Sequence, residues 1–279
     1  MKAHALKIFL FSFALFLFLG ASAQEDSTGK RDLFKISLNY NSNLAYYGRT
    51  DSLQSSGIFP LAELWVTENF YLNAAPIFIN NAVQKMDYAG TIATLGYQYA
   101  TEDWASHIYL LKPFYTAQTD LVQSALKAQT GISISHLNPV VNITLGGDVK
   151  WSDAMDLGAT AGLDHLFRKE AKSGGVWVLN PSVFLYAGTQ RFSQTYTQRK
   201  GGGLLFRGRE ETVTENYSRF KILAYEASLP LLYGKGSWQI SVTPSYVIPQ
   251  NLLQVPNQPQ LSEKGEKTFY TTVGLKYAF

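Results

Sequence analysis

The chain has 279 residues, with 24 Lys and Arg against 21 Asp and Glu, 46% apolar residues and no cysteine. A balance this near neutral is no electrostatic footprint for nucleic acid or another polyanion, even with a pI near 8.8. The missing cysteines exclude disulfides, thiolate metal sites, thiolate nucleophiles and a lipidated cysteine.

The chain opens with Lys2 and Lys7, runs through residues 8–19, apolar but for Ser12, and reaches Gly20-Ala21-Ser22-Ala23-Gln24. A positive start, an apolar stretch and small residues at the two positions read by a signal peptidase predict a secretory signal peptide. The apolar stretch is about 12 residues, short of the roughly 20 that a spanning helix needs. The expected organisation is a signal peptide over 1–23, a short periplasmic segment over 24–32 and one domain over 33–279. Without Lys2 and Lys7, 22 basic residues face the same 21 acidic ones. No Pro/Ser-rich linker divides the remainder.

From residue 33 onward, apolar and polar residues alternate with period two, the signature of strands whose faces differ. Twelve strands are predicted, over 33–47, 57–66, 70–80, 86–100, 104–117, 125–137, 140–151, 155–168, 175–192, 213–229, 236–249 and 267–279. In one of them Val141, Ile143, Leu145, Val149 and Trp151 oppose Asn142, Thr144, Gly146, Asp148 and Lys150. In another, Trp238, Ile240, Val242, Tyr246 and Ile248 oppose Gln239, Ser241, Thr243 and Ser245.

A soluble β-sandwich alternates too, with its apolar face inward. Three features favour a membrane barrel instead. The polar rows are rich in Gly, Ser, Thr and Asn and poor in Lys and Glu, unlike a surface in bulk water. Segments such as 176–192 and 217–229 exceed the usual sandwich strand. Aromatic residues gather at segment ends (Tyr46, Tyr47, Trp65, Tyr97, Tyr99, Trp104, Trp151, Trp177, Tyr233, Trp238), where a membrane barrel places its interfacial girdles.

The connectors support the same reading. One side carries the links 67–69, 101–103, 138–139, 169–174 and 233–236, and the other carries 48–56, 81–85, 118–124, 152–154, 193–212 and 250–266. Short periplasmic turns and longer extracellular loops are the rule in bacterial barrels. An even strand count puts both ends of the domain on the short-turn side. The fold class expected is all-β, an up-and-down transmembrane barrel of about twelve strands.

The final segment, Tyr270-Thr271-Thr272-Val273-Gly274-Leu275-Lys276-Tyr277-Ala278-Phe279, resembles the terminal strand of Gram-negative outer-membrane barrels. The resemblance covers about ten residues closely and the rest only in general pattern. It implies an outer-membrane location, and that Val273, Leu275, Tyr277 and Phe279 form the signal read by the barrel-assembly machinery. It also implies outer-membrane lipid and lipopolysaccharide as surroundings, and leaves a protein partner in that membrane open.

Candidate sites follow from the two rows. Lys35, Glu63, Asp148, Lys150, Asp164, Arg168, Glu226 and Lys276 fall on the row expected to face the lumen, either as a polar constriction or as ion pairs filling a narrow barrel. In the loop 193–212, Arg199, Lys200, Arg207 and Arg209 flank three glycines and Leu204-Leu205-Phe206, and are candidate contacts for anionic lipopolysaccharide or a partner. The run lacks the context of a phosphate-binding loop.

No catalytic set is legible. The outer-membrane phospholipases place His two residues before Ser on one strand, whereas here Asn138 follows His136 and Tyr109 follows His107 at that spacing. His165 has no such partner either, and Asp51, Asp87, Asp120, Asp153 and Asp156 are scattered near the rims, unlike a gathered protease site. No spacing suggests a metal or cofactor. The sequence therefore points to a non-enzymatic barrel, either a narrow pore for small solutes or a membrane-embedded accessory subunit. The alternatives are a barrel enzyme acting on lipid or peptide and a soluble secreted β-protein.

Overall fold

The computed structural model describes residues 33–44, 47–48, 55–83, 85–115, 126–152, 155–200, 209–252 and 265–279, with backbone only at 190–200 and 209–218. The expected signal peptide and the segment 24–32 lie outside the described residues.

Fifteen β segments appear in chain order: β1 (Phe34–Asn41), β2 (Ser56–Trp65), β3 (Phe70–Asn80), β4 (Asp87–Ala100), β5 (Trp104–Tyr115), β6 (Ala128–His136), β7 (Asn142–Trp151), β8 (Met155–Asp164), β9 (Phe167–Glu170), β10 (Val176–Leu179), β11 (Ser182–Lys200), β12 (Arg209–Ser228), β13 (Leu231–Lys235), β14 (Trp238–Pro249) and β15 (Thr268–Ala278). All pairings are antiparallel, and the order β1 to β8, β11, β12, β14, β15 returns to β1, a closed ring of twelve. The seam runs from Lys35 opposite Ala278 to Asn41 opposite Thr272. Beyond it, the Phe279 amide donates to the Phe34 carbonyl (3.0 Å).

The remaining segments β9, β10 and β13 continue β8, β11 and β12 at the short-turn end. Each interruption has a local cause. Pro181 and Pro230 cannot donate to a ladder, and Pro244 stands in β14 beside them. Their carbonyls still accept, from His165 N (3.2 Å), Asn180 N (3.0 Å) and Leu229 N (3.0 Å) respectively. The strand segments are interrupted along this line while these backbone hydrogen bonds are kept.

The two rows then face opposite ways. Outward lie Ile36 and Leu38 on β1, Ile132 and Ile134 on β6, Leu145 on β7, and Val273 and Leu275 on β15, all exposed. Inward lie Glu63, Asn73, Thr94, His107, Gln129, Asp148, Thr160, Thr243 and Thr272, all buried. A water-soluble sheet would reverse this. Hydrocarbon offers no hydrogen-bond partner, so a sheet can cross it only as a closed ring. An aromatic belt edges the short-turn end, with Trp104 against His136 (4.7 Å between ring centroids), Trp177 against Tyr233 (4.6 Å) and Trp238 against Tyr277 (4.8 Å).

Two boundaries differ from the sequence expectation. The first strand ends at Asn41, not 47, because the Asn41 side chain accepts from Asn43 N (3.0 Å) and turns the chain. Tyr47 and Gly48 then adopt positive φ (52° and 72°). The expected loop 193–212 is largely strand. β11 and β12 stay paired to Lys200 opposite Arg209, as suits β-formers such as Thr195-Tyr196-Thr197 opposite Thr212-Val213-Thr214. Only 201–208 joins them, outside the described residues.

Candidate functional site in the barrel lumen

The inward row changes character from one end of the barrel to the other. Near the short-turn end, Glu63 on β2 accepts at Oε1 from Lys276 Nζ on β15 (3.2 Å) and from Trp65 Nε1 (2.7 Å). Lys35 from β1 sits over the Trp65 ring (5.1 Å). Tyr71 on β3 packs on Trp65 and shares a hydrogen bond with His107 Nε2 on β5 (2.8 Å). His107 stacks on Tyr109, whose hydroxyl accepts from Gln129 Nε2 on β6 (2.8 Å). The result is a continuous polar and aromatic lining from β15 to β6.

Several rings lie flat against the wall over glycines of the next strand. A Cβ at Gly96 would meet the Tyr71 ring, one at Gly131 the Tyr109 ring, and one at Gly162 the Phe184 ring. Glycine here supplies room for the neighbouring ring rather than backbone freedom.

Toward the long-loop end the row turns apolar. Phe59, Ile77, Ile79, Ile92, Tyr109 and Leu111 form one buried cluster on β2 to β5. Phe184, Tyr186, Leu223, Val247 and Tyr270 form another on β11 to β15. Residues from the β1–β2 connection join both: Leu44 belongs to the first cluster and Tyr47 to the second. Tyr47 lies 4.9 Å from the Tyr186 ring, and the Gly48 carbonyl accepts from Glu266 N (3.1 Å). Leu44 and Tyr47 thus pack against two different parts of the wall at the long-loop end.

Between these ends lies a polar belt with hydrogen-bonding capacity to spare. Asn73, Gln129, Thr160, Ser182, Thr243 and Thr272, from six different strands, each bury at least one side-chain polar atom that has no partner among the described residues. Each such atom costs about 1–3 kcal/mol if kept dry. Water in the lumen would satisfy these atoms.

Of the residues singled out in sequence, Lys35, Glu63, Asp148, Lys150, Asp164, Glu226 and Lys276 share the inward row. Asp148 pairs with Lys150, and Asp164 accepts from Asn142 Nδ2 (2.9 Å). Arg168 sits on β9 at the short-turn end and is exposed. Arg199 stands opposite Glu210, and Lys200 opposite Arg209, at the far end of the β11–β12 ribbon; Arg207 lies outside the described residues. His136 and His165 occupy the short-turn end, beside the Asp103 and Val140 carbonyls. No group of three or more His, Asp or Glu that could hold a metal occurs among the described residues. Val273, Leu275 and Phe279 are exposed on the outer face, and Tyr277 packs on Trp238 and Phe279. Sequence reasoning missed Leu44, because a loop residue's inward turn leaves no periodic signal. It also missed the neutral belt, whose Asn, Gln, Ser and Thr members resemble ordinary polar-row residues.

A closed antiparallel ring with an apolar outer row and an aromatic-edged band defines a membrane-spanning β-barrel, and this chain is a closed twelve-stranded barrel of that class. No protein-family model and no curated protein matches the chain. Among solved structures it is similar to the KdgM porin, at 10% identity and a TM-score of 0.48, over 88% of this chain and 99% of that one. It is also similar to an outer membrane channel from Pseudomonas putida F1, at 10% identity and 0.48, over 92% and 99%. A third likeness is to LpxR from Salmonella typhimurium, at 10% identity and 0.40, over 88% and 100%. Likenesses this distant assign no function. The barrel itself rests on strand register and the two faces.

Proposed function

We propose that the protein is a narrow pore for small solutes, closed at its extracellular mouth in this conformation by Leu44 and Tyr47. The observation that carries this reading is the burial of Leu44 and Tyr47, both from a loop, among side chains that line the lumen. A hydrophobic constriction above a hydrated belt is a known way to gate a pore, because water leaves an apolar neck readily. The unpartnered polar atoms of the belt support a water path below the neck.

Single-channel recording in planar bilayers tests this. Wild-type protein should open briefly and at small conductance. The double variant Leu44→Ser/Tyr47→Ser should open longer and wider, since the loop loses its apolar hold on both walls. Absence of discrete openings in both proteins would overturn the pore and favour a non-conducting accessory subunit.

A further inference from the structure

We propose that the upper lumen holds a binding site for small organic cations, formed by the Glu226 carboxylate with the rings of Tyr47, Tyr186 and Tyr270. The proposal deepens the pore reading by naming a solute class, and it rests on that reading for the route by which the cation arrives.

Three carboxylates of the inward row are buried: Glu63, Asp148 and Glu226. Lys276 meets the first and Lys150 the second. Glu226 has no cation among the described residues. Its Oε1 accepts from Tyr270 Oη (2.8 Å) and Ser228 Oγ (3.1 Å), and its other oxygen has no hydrogen bond there. A buried carboxylate without a counter-charge is costly, and the site is completed when a cation arrives with the ligand.

The surroundings favour an organic cation over a metal ion. Glu226 faces Phe184 across the β11–β12 ladder and Val247 across the β12–β14 ladder. Tyr186 lies one inward position further along β11 and stacks on Phe184 (6.2 Å). Tyr47 closes the group from above, 4.9 Å from Tyr186. Aromatic faces around one carboxylate attract ammonium groups with apolar substituents. A calcium or magnesium ion would need several oxygen ligands at short range, and one carboxylate with two hydroxyl neighbours falls short of that. Ser245 and Ser228, bonded to each other (3.1 Å), offer a polar edge for a substituent such as a hydroxyl.

The test uses the purified barrel in detergent micelles, titrated calorimetrically with choline and, separately, with its uncharged isostere 3,3-dimethylbutanol. Choline should bind, and the isostere should bind about tenfold more weakly or not at all. Glu226→Gln keeps an acceptor for Tyr270 and should weaken choline by about tenfold. Tyr47→Leu, in a loop, should weaken it several-fold. Circular dichroism and heat-modifiable gel migration confirm that both variants remain folded. No binding to wild type, equal binding to Glu226→Gln, or equal binding of the isostere would each overturn the site and leave Glu226 as a neutral structural acid. Bilayer recording separates this from the pore reading. Choline binding without channel openings keeps the site and removes the pore; openings with no choline binding do the reverse.

Discussion

Replacing Gly131 with alanine tests whether the lumen rings are held flat by the glycines beneath them. A Cβ at Gly131 would stand 2.5 Å from Tyr109 Cε1 and 2.6 Å from its Cζ and Oη. Ordinary contact begins about 1 Å further out, so the ring must move or the strand must shift. Overpacking of this kind costs about 1–3 kcal/mol. If the ring swings away, the Gln129–Tyr109 hydrogen bond is lost as well, worth about 0.5–1.5 kcal/mol. Alanine in place of glycine recovers about 0.4–1 kcal/mol by restricting the unfolded chain. The expected net destabilisation is therefore about 1–3 kcal/mol, read by tryptophan fluorescence in urea unfolding of the refolded barrel. Gly147→Ala is the control, since the nearest atom there is the Gly158 carbonyl oxygen at 3.5 Å, and it should leave the barrel about 0.4–1 kcal/mol more stable. Tyr109→Leu removes the ring, so Gly131→Ala should cost at least about 1 kcal/mol less in that background. Additive single effects, or equal costs at Gly131 and Gly147, would refute the account.

Two further outcomes concern the ends of the barrel. Phe279 packs on Tyr277 (4.8 Å) and Phe34 (5.5 Å) at the seam, and is proposed as part of the assembly signal. Phe279→Ser should lower the yield of folded, heat-modifiable barrel in cells several-fold while leaving unassisted refolding into detergent nearly unchanged. Equal loss in both settings would assign Phe279 to seam packing alone. In the β11–β12 ladder Lys200 is in register with Arg209, and these two with Arg199 and Arg207 are the proposed lipopolysaccharide contacts. Replacing Arg199, Lys200, Arg207 and Arg209 with alanine should reduce co-purifying lipopolysaccharide, and an unchanged amount would remove that contact.

Much of the fold was legible in the sequence because side-chain direction in a strand is a local property with period two. The alternation of Val273 and Leu275 with Gly274 and Lys276 separates two rows before any neighbour is known. Connector lengths then set the order and the two ends, and an even count of strands closes the ring. Lipid supplies the physical reason for closure, since it satisfies no backbone group. Which inward residues meet is a different matter. Glu63 and Lys276 are 213 residues apart in sequence, and the register across the seam brings them together. The contact of Tyr71 with His107 and the approach of Tyr270 to Glu226 likewise depend on how neighbouring strands are staggered around the ring. The inward turn at Tyr47 and Gly48 depends on pockets supplied by several distant strands. That Pro181, Pro230 and Pro244 lie side by side in neighbouring strands is likewise set by register. Periodicity assigns each residue a face, but lateral neighbours and a loop's resting place come from pairing and closure, which are properties of the whole ring.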